Sequence, residues 1–148
     1  MKRVLLLTFI FCIVNAFGQK INRPESKRIL FRTNQVLQAA KKSIETNRKY
    51  SGYFAKAYAH QKLAITFFRR DRFEKAIYQS LKARYDALKS IRDNLGITPK
   101  EMKLDAIENG FHSRSPLSSI LEQELEEENV PLLKDEDLVS KKLMLSIE

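Results

Sequence analysis

The chain has 148 residues, a formal net charge of +9, 43% hydrophobic and 30% charged residues, one cysteine, four glycines and four prolines. That length suits one domain around a single core, and one cysteine excludes a disulfide framework or a cysteine-based zinc site. Histidines only at positions 60 and 112, with no glycine-rich phosphate loop, leave little material for metal or nucleotide chemistry, and no cofactor is expected.

The first element in chain order stands apart. Met1-Lys2-Arg3 is a short cationic start, and Val4 to Val14 is apolar apart from Thr8. Asn15-Ala16-Phe17-Gly18 then places small residues where a signal peptidase reads. This is the three-part secretory pattern, and the apolar run falls short of the about 20 residues that a membrane span needs. Residues 1–18 are expected to be a leader cleaved after Gly18, with an uncleaved anchor as the alternative, and a periplasmic or secreted location follows. Phe11 ahead of Cys12 does not suit lipidation, which wants a small residue there, and Cys12 would leave with the leader.

Charge divides the remainder. Residues 19–114 hold 22 basic and 9 acidic side chains, whereas residues 115–148 hold 3 and 9. The sequence therefore reads as a basic body, 19–114, followed by an acidic extension, 115–148. Either the extension folds back as an internal counter-charge, or the body meets an anionic partner such as lipid or polysaccharide. Export argues against nucleic acid as that partner.

Within the body the periodicity is helical throughout. A first helix is expected from about Pro24 to Asn47, with Leu30, Thr33, Leu37, Ala40 and Ile44 on one face. "NRKYSG" (47–52) interrupts it, with Ser51 as a candidate cap. A second helix over 52–69 carries Phe54, Ala57, Tyr58, Ala64, Ile65 and Phe68 on a broad apolar side. Leu63 and Phe67 widen that side towards a second neighbour. A third, over 72–94, has Phe73, Ala76, Ile77, Leu81, Ala83, Ala87, Leu88 and Ile91 as its stripe and Gly96 as its stop.

"TPKE" (98–101) reads as a capping box led by Thr98, and predicts a fourth helix ending at Asn109-Gly110. "SPLSSILEQELEEEN" (115–129) predicts a fifth from Ser115, with Leu117, Ile120, Leu121 and Leu125 as its stripe and Pro131 beyond it. Asp135 to Glu148 is expected to be helical from an Asp135 cap, although Leu143, Leu145 and Ile147 alternate like a strand. The expected fold is all-α: a three-helix antiparallel bundle with additional short C-terminal helices.

Residues 57–90 resemble a single tetratricopeptide hairpin, a family with a repeat of about 34 residues. Leu63 and Ala64 match its Leu–small pair, Phe67 its aromatic, and Ala76 and Ala83 the small positions of its second helix. His60, Ser80 and Leu88 depart from the pattern. No second unit follows or precedes, since Lys42, Lys49, Gly110 and Leu117 occupy the alanine positions there. Residues 30–95, with "VLQAAKKSI" ahead of the hairpin, also resemble Ala-rich helical domains of bacterial envelope proteins. The first resemblance implies a surface that binds other proteins, and the second only a secreted helical bundle. The expected role is a non-enzymatic envelope module that meets another envelope protein or peptide, with oligomeric state left open.

Three polar residues interrupt apolar faces. Arg84 lies mid-stripe in the third helix, Gln61 mid-stripe in the second, and His60 at the edge of that side. A buried unpaired charge is costly. Arg84 therefore either bonds a loop carbonyl or carboxylate, or lines a groove that receives an anionic group of a peptide or of the acidic extension. His60 is expected to be a hydrogen-bonded structural residue. The turn "RRDRFEK" gathers Arg69, Arg70, Arg72 and Lys75, as a solvated tip or as a contact for anionic envelope material. Carboxylates in "EQELEEE" (122–128) read as a solvated or body-docking face, since a catalytic pair needs two different environments.

Overall fold

The computed structural model describes residues 21–148, so the expected leader over 1–18 lies outside the described residues. Helix α1 spans Arg23–Asn47, α2 Tyr53–Arg69 and α3 Phe73–Leu95, each within two residues of its sequence-based bounds. Asn22 opens α1 by accepting the Glu25 amide at 2.9 Å, with Pro24 in the first turn. Gly96 ends α3 in the left-handed conformation at φ 73°, where its amide donates to Arg92 O.

Short connections make successive helices antiparallel, so α1 and α3 run the same way. Arg23 pairs with Asp71 at the α2–α3 turn, and Asn94 near the end of α3 bonds Lys49 just past α1. The core follows the predicted stripes. Leu30, Leu37, Ala40 and Ile44 of α1 meet Phe54, Ala57, Ala64 and Phe68 of α2, and Ala76, Ala87 and Ile91 of α3. Leu63 and Phe67 are buried too, which gives α2 a second covered side. Alanines at these contacts let α2 and α3 approach closely, and burial of the large side chains supplies the driving force, at about 25 cal/mol per Å² of apolar surface.

Beyond Gly96 the structure departs from the sequence reading. Thr98-Pro99 does not start an α-helix. Lys100–Met102 is a single 3₁₀ turn, and α4 spans Ala106–His112. The segment around Lys100, Glu101 and Lys103 is exposed, with only Met102 partly covered. A short helix without an apolar face is marginal. The working capping box is Asp105–Glu108, with both reciprocal bonds at 2.9 Å. The helix passes through Gly110, because Phe111 is anchored in the core.

Helix α5 spans Ser118–Glu127, starting after Leu117 rather than at Ser115. Leu121 is buried and Leu125 partly so, but Leu117 and Ile120 point outward. Only Asp135–Val139 is helical in the last segment, as α6. Residues 142–148 form no helix, and burial alternates along them as in an extended segment, with Leu143 and Leu145 buried and Met144 exposed.

The chain past Gly96 winds around the bundle. Helix α4 bridges α1 and α3, α5 lies over α3 and α2, and α6 with the extended segment lies over α2 and α1. Each pair of long helices is therefore covered in turn.

Candidate functional site

Polar residues in the apolar faces of α2 and α3 lie where the chain past Gly96 crosses the bundle, and each is engaged within the chain. Arg84 is 1% exposed in the α1–α3 interface. Its Nη1 donates to Glu108 Oε2 at 2.6 Å, and its Nη2 donates to Ile29 O at 3.1 Å and Thr33 Oγ1 at 3.0 Å. Thr33 and Ser80 are joined at 2.9 Å, so the hydroxyl that receives Arg84 is held in place.

Glu108 is itself fully buried, and its Oε2 also accepts Arg32 Nη1 at 2.8 Å. Arg32 and Arg28 both reach Asp105, and Arg28 continues to Glu25. Burial pushes the Arg84 guanidinium below its ordinary value, while its bond to Glu108 raises it again. At the outer end the bonds to Glu25 and Asp105 raise Arg28. The anion that meets Arg84 thus comes from the body's own α4, not from the acidic extension.

The second clamp runs through His60 and Gln79. His60 Nδ1 lies 2.6 Å from Gln79 Oε1, and an amide oxygen only accepts, so Nδ1 carries the proton. Gln79 Nε2 then donates to Leu121 O at 3.1 Å and to Glu124 Oε2 at 2.7 Å. His60 thereby orients the residue that grips α5. It is fully buried rather than at the edge of the helix face, and its Nε2 has no partner among the described residues.

Burial pushes the imidazole below its ordinary value of 6.5, opposed by the bond to Gln79. Because the folded pKa is depressed, the unfolded chain takes up this proton first as the pH falls. The stability contributed by neutral His60 is whole above pH 6.5 and is lost as the pH drops from there towards the folded value. In urea titrations the midpoint should therefore decline from pH 7 to pH 5, and His60→Gln should flatten that decline. An unchanged slope in the variant would assign it to other groups.

The third clamp starts at Gln61. Its Nε2 donates to Leu30 O at 3.0 Å and Asn34 Oδ1 at 2.7 Å, and Asn34 Nδ2 donates to Leu145 O at 2.8 Å. Gln61 is thus placed behind the extended segment and reaches it through Asn34.

The basic turn is divided. Arg70 pairs with Glu128 at 2.8 Å, Lys75 with Glu124 at 2.6 Å, and Arg69 donates to Ser146 O at 3.1 Å. Arg72 lies over the Phe67 ring at 5.9 Å, without an ion pair among the described residues. Three of the four cations face the extension, which serves as counter-charge. Exposed pairs of this kind contribute about 0–1 kcal/mol each, so apolar burial and the three clamps carry the docking.

An open apolar cleft lies on the α3–α5 side. It measures about 400 Å³ and is lined by Leu81, Tyr85, His112, Pro116 and Leu117. Tyr85 is 53% exposed, Leu117 73% and Ile120 47%. Among the described residues no three His, Cys, Asp or Glu side chains are placed to hold a metal ion, and no helix is long and apolar enough to cross a membrane. No protein-family model, curated protein or solved structure matches the chain.

Proposed function

We infer that this is an exported, non-enzymatic helical protein that works at the cell envelope as a structural or protein-interaction module. The observation that carries the reading is the exposed apolar cleft of Tyr85, Leu117 and Pro116 beside half-exposed Ile120. Apolar patches rimmed by polar residues mark protein contacts more often than solvent-facing surface. Leu117 contributes nothing to the core it borders, so its exposure is free for a partner to cover. The internal use of Arg84, His60 and Gln61 fits the same reading, because these groups assemble the module itself. The leader pattern of residues 1–18 supplies the location.

The alternative is an electrostatic binder of anionic lipid or polysaccharide through the basic body. It is favoured less, because Arg70 and Lys75 are paired with Glu128 and Glu124. The two differ in salt response. Charge-driven contact weakens as the Debye length falls from about 30 Å at 0.01 M to about 8 Å at 0.15 M.

The test is affinity capture from the envelope fraction of the source cells at those two salt concentrations, with wild type and Leu117→Glu side by side. Capture that survives the higher salt and is lost in Leu117→Glu supports the interaction module. Capture that is lost in salt and indifferent to Leu117→Glu replaces it with the electrostatic reading.

A further inference from the structure

Residues 141–147 are bound to the bundle as a ligand would be. Among the described residues, no backbone–backbone hydrogen bond is formed from 142 onward. Instead, side chains of the long helices grip the segment's carbonyls: Lys41 Nζ donates to Lys141 O at 2.6 Å, Asn34 to Leu145 O, and Arg69 to Ser146 O. Leu143 and Leu145 point into the core, and Ile147 is half-buried against it. Side chains at every second position enter, while main-chain oxygens are read from the walls. This is how grooves take extended segments from other chains: main-chain bonds give affinity and alternate pockets give selectivity.

The groove is also wider than its occupant. An open cleft of about 670 Å³ lies beside Ile147, between Pro24, Arg28 and Phe31, and Phe31 is 58% exposed there. A second, of about 580 Å³, flanks Leu143 and Met144 along Asn34 and Gln38. Larger side chains than Leu and Ile would fill both.

We propose that the α1–α2 groove is the docking site for an extended segment of a partner protein with large apolar side chains at three alternate positions, and that residues 141–147 are a strap which holds the groove until such a segment displaces it. Asn34, positioned by Gln61, reads the carbonyl between the second and third apolar side chains. Tethering gives the strap an effective concentration of about millimolar. A foreign segment that fits only equally well does not compete, and one that fills the Phe31 cleft does. The groove is thereby selective without any charged specificity contact. The proposal rests on the interaction-module reading and names the chemistry of the partner.

The test uses the full chain and a fluorescein-labelled peptide of residues 141–148 as probe, followed by anisotropy. Wild type should bind it weakly. Leu143→Ser/Leu145→Ser, whose own strap is loosened, should bind at least tenfold more tightly, and adding Asn34→Ala should remove most of that gain. Absence of saturable binding to a strap-loosened chain with wild-type helicity would overturn the proposal.

Methyl NMR on the unaltered chain tests it without any variant. The Leu143 and Leu145 methyl signals should move towards exposed-chain positions as unlabelled peptide is added in millimolar excess. Signals that stay in place would overturn the idea. So would dimers that exchange straps and vanish in Leu143→Ser/Leu145→Ser, because the occupant would then be a second copy. These measurements need only purified protein, so they can fail while salt-resistant capture through Leu117 stands, and the reverse.

Discussion

Glu108→Ala should destabilise the fold by about 3–5 kcal/mol, the cost of stranding a buried charge once its partner is removed. Arg84 would keep only the neutral acceptors Thr33 Oγ1 and Ile29 O, in a site that is 1% exposed. Arg32 would lose one of its two carboxylates, and the Asp105 amide its capping bond at 2.9 Å. The reverse deletion is milder. In Arg84→Leu the Glu108 carboxylate still accepts Arg32 at 2.8 Å and the Asp105 amide, so it stays paired.

Urea unfolding of both variants should therefore show Glu108→Ala costing clearly more than Arg84→Leu. Replacing both partners with apolar residues, as Arg84→Met/Glu108→Leu, should recover most of the loss, since a buried ion pair is seldom better than packed hydrocarbon of the same volume. Equal costs below about 1 kcal/mol for the two single variants would match an exposed pair instead, and would show that the clamp does not hold α4.

The asymmetry also explains why Arg84 stands out in the sequence while its partner does not. A charge inside an apolar stripe is a local anomaly, visible from periodicity alone. Glu108 sits 24 positions away in a short polar helix, and only the tertiary fold brings the two together. The three long helices are legible nearly to the residue because burial imposes a period on the sequence, and Leu30, Leu37, Ala64, Ile77 and Ile91 keep it. Gly96 is legible because a left-handed stop favours glycine over other residues.

Past Gly96 the local signals compete. Thr98-Pro99-Lys100-Glu101 and Asp105-Ala106-Ile107-Glu108 both have the form of a capping box. The proline makes the first more conspicuous, but the second is the one that forms. Anchoring separates them: Phe111 comes three residues after Glu108 and is fully buried, whereas near Lys100 Met102 packs only partly against the core. The alanines of 57–90 anticipate the close α2–α3 packing, but nothing in that stretch shows what covers the hairpin. The cover is the chain's own extension, docked by His60–Gln79 and by Leu121. The alternation of Leu143, Leu145 and Ile147 is a better guide to their conformation than the helix signal at Asp135.

Asp135 shows how far such a signal can reach. Its sequence context suggests the cap of its own helix, yet it is the first residue of α6 and its carboxylate caps α2 instead. Oδ2 accepts the Gly52 amide and Oδ1 the Ala55 amide, each at 2.7 Å, across 83 and 80 positions of sequence. Helix α2 has no side-chain cap of its own, because Gly52 stands at the capping position with φ 78° and Ser51 is not used. A carboxylate there also meets the positive end of the helix dipole.

Asp135→Ala should therefore cost about 1–3 kcal/mol, as the buried Ala55 amide loses its acceptor, while water takes over at the exposed Gly52. Asp135→Asn should fall between, since one carbonyl oxygen can serve only part of the pair. Amide exchange gives the local readout. In Asp135→Ala, residues 52–56 should lose protection and the labelled 141–148 peptide should bind more tightly, while the Arg84–Glu108 side keeps its protection. If only 52–56 respond, Asp135 is a cap and nothing more. If the strap loosens with it, the one carboxylate that starts α2 also closes the groove between α2 and α1, which ties occupancy of that groove to the integrity of the helix forming its wall.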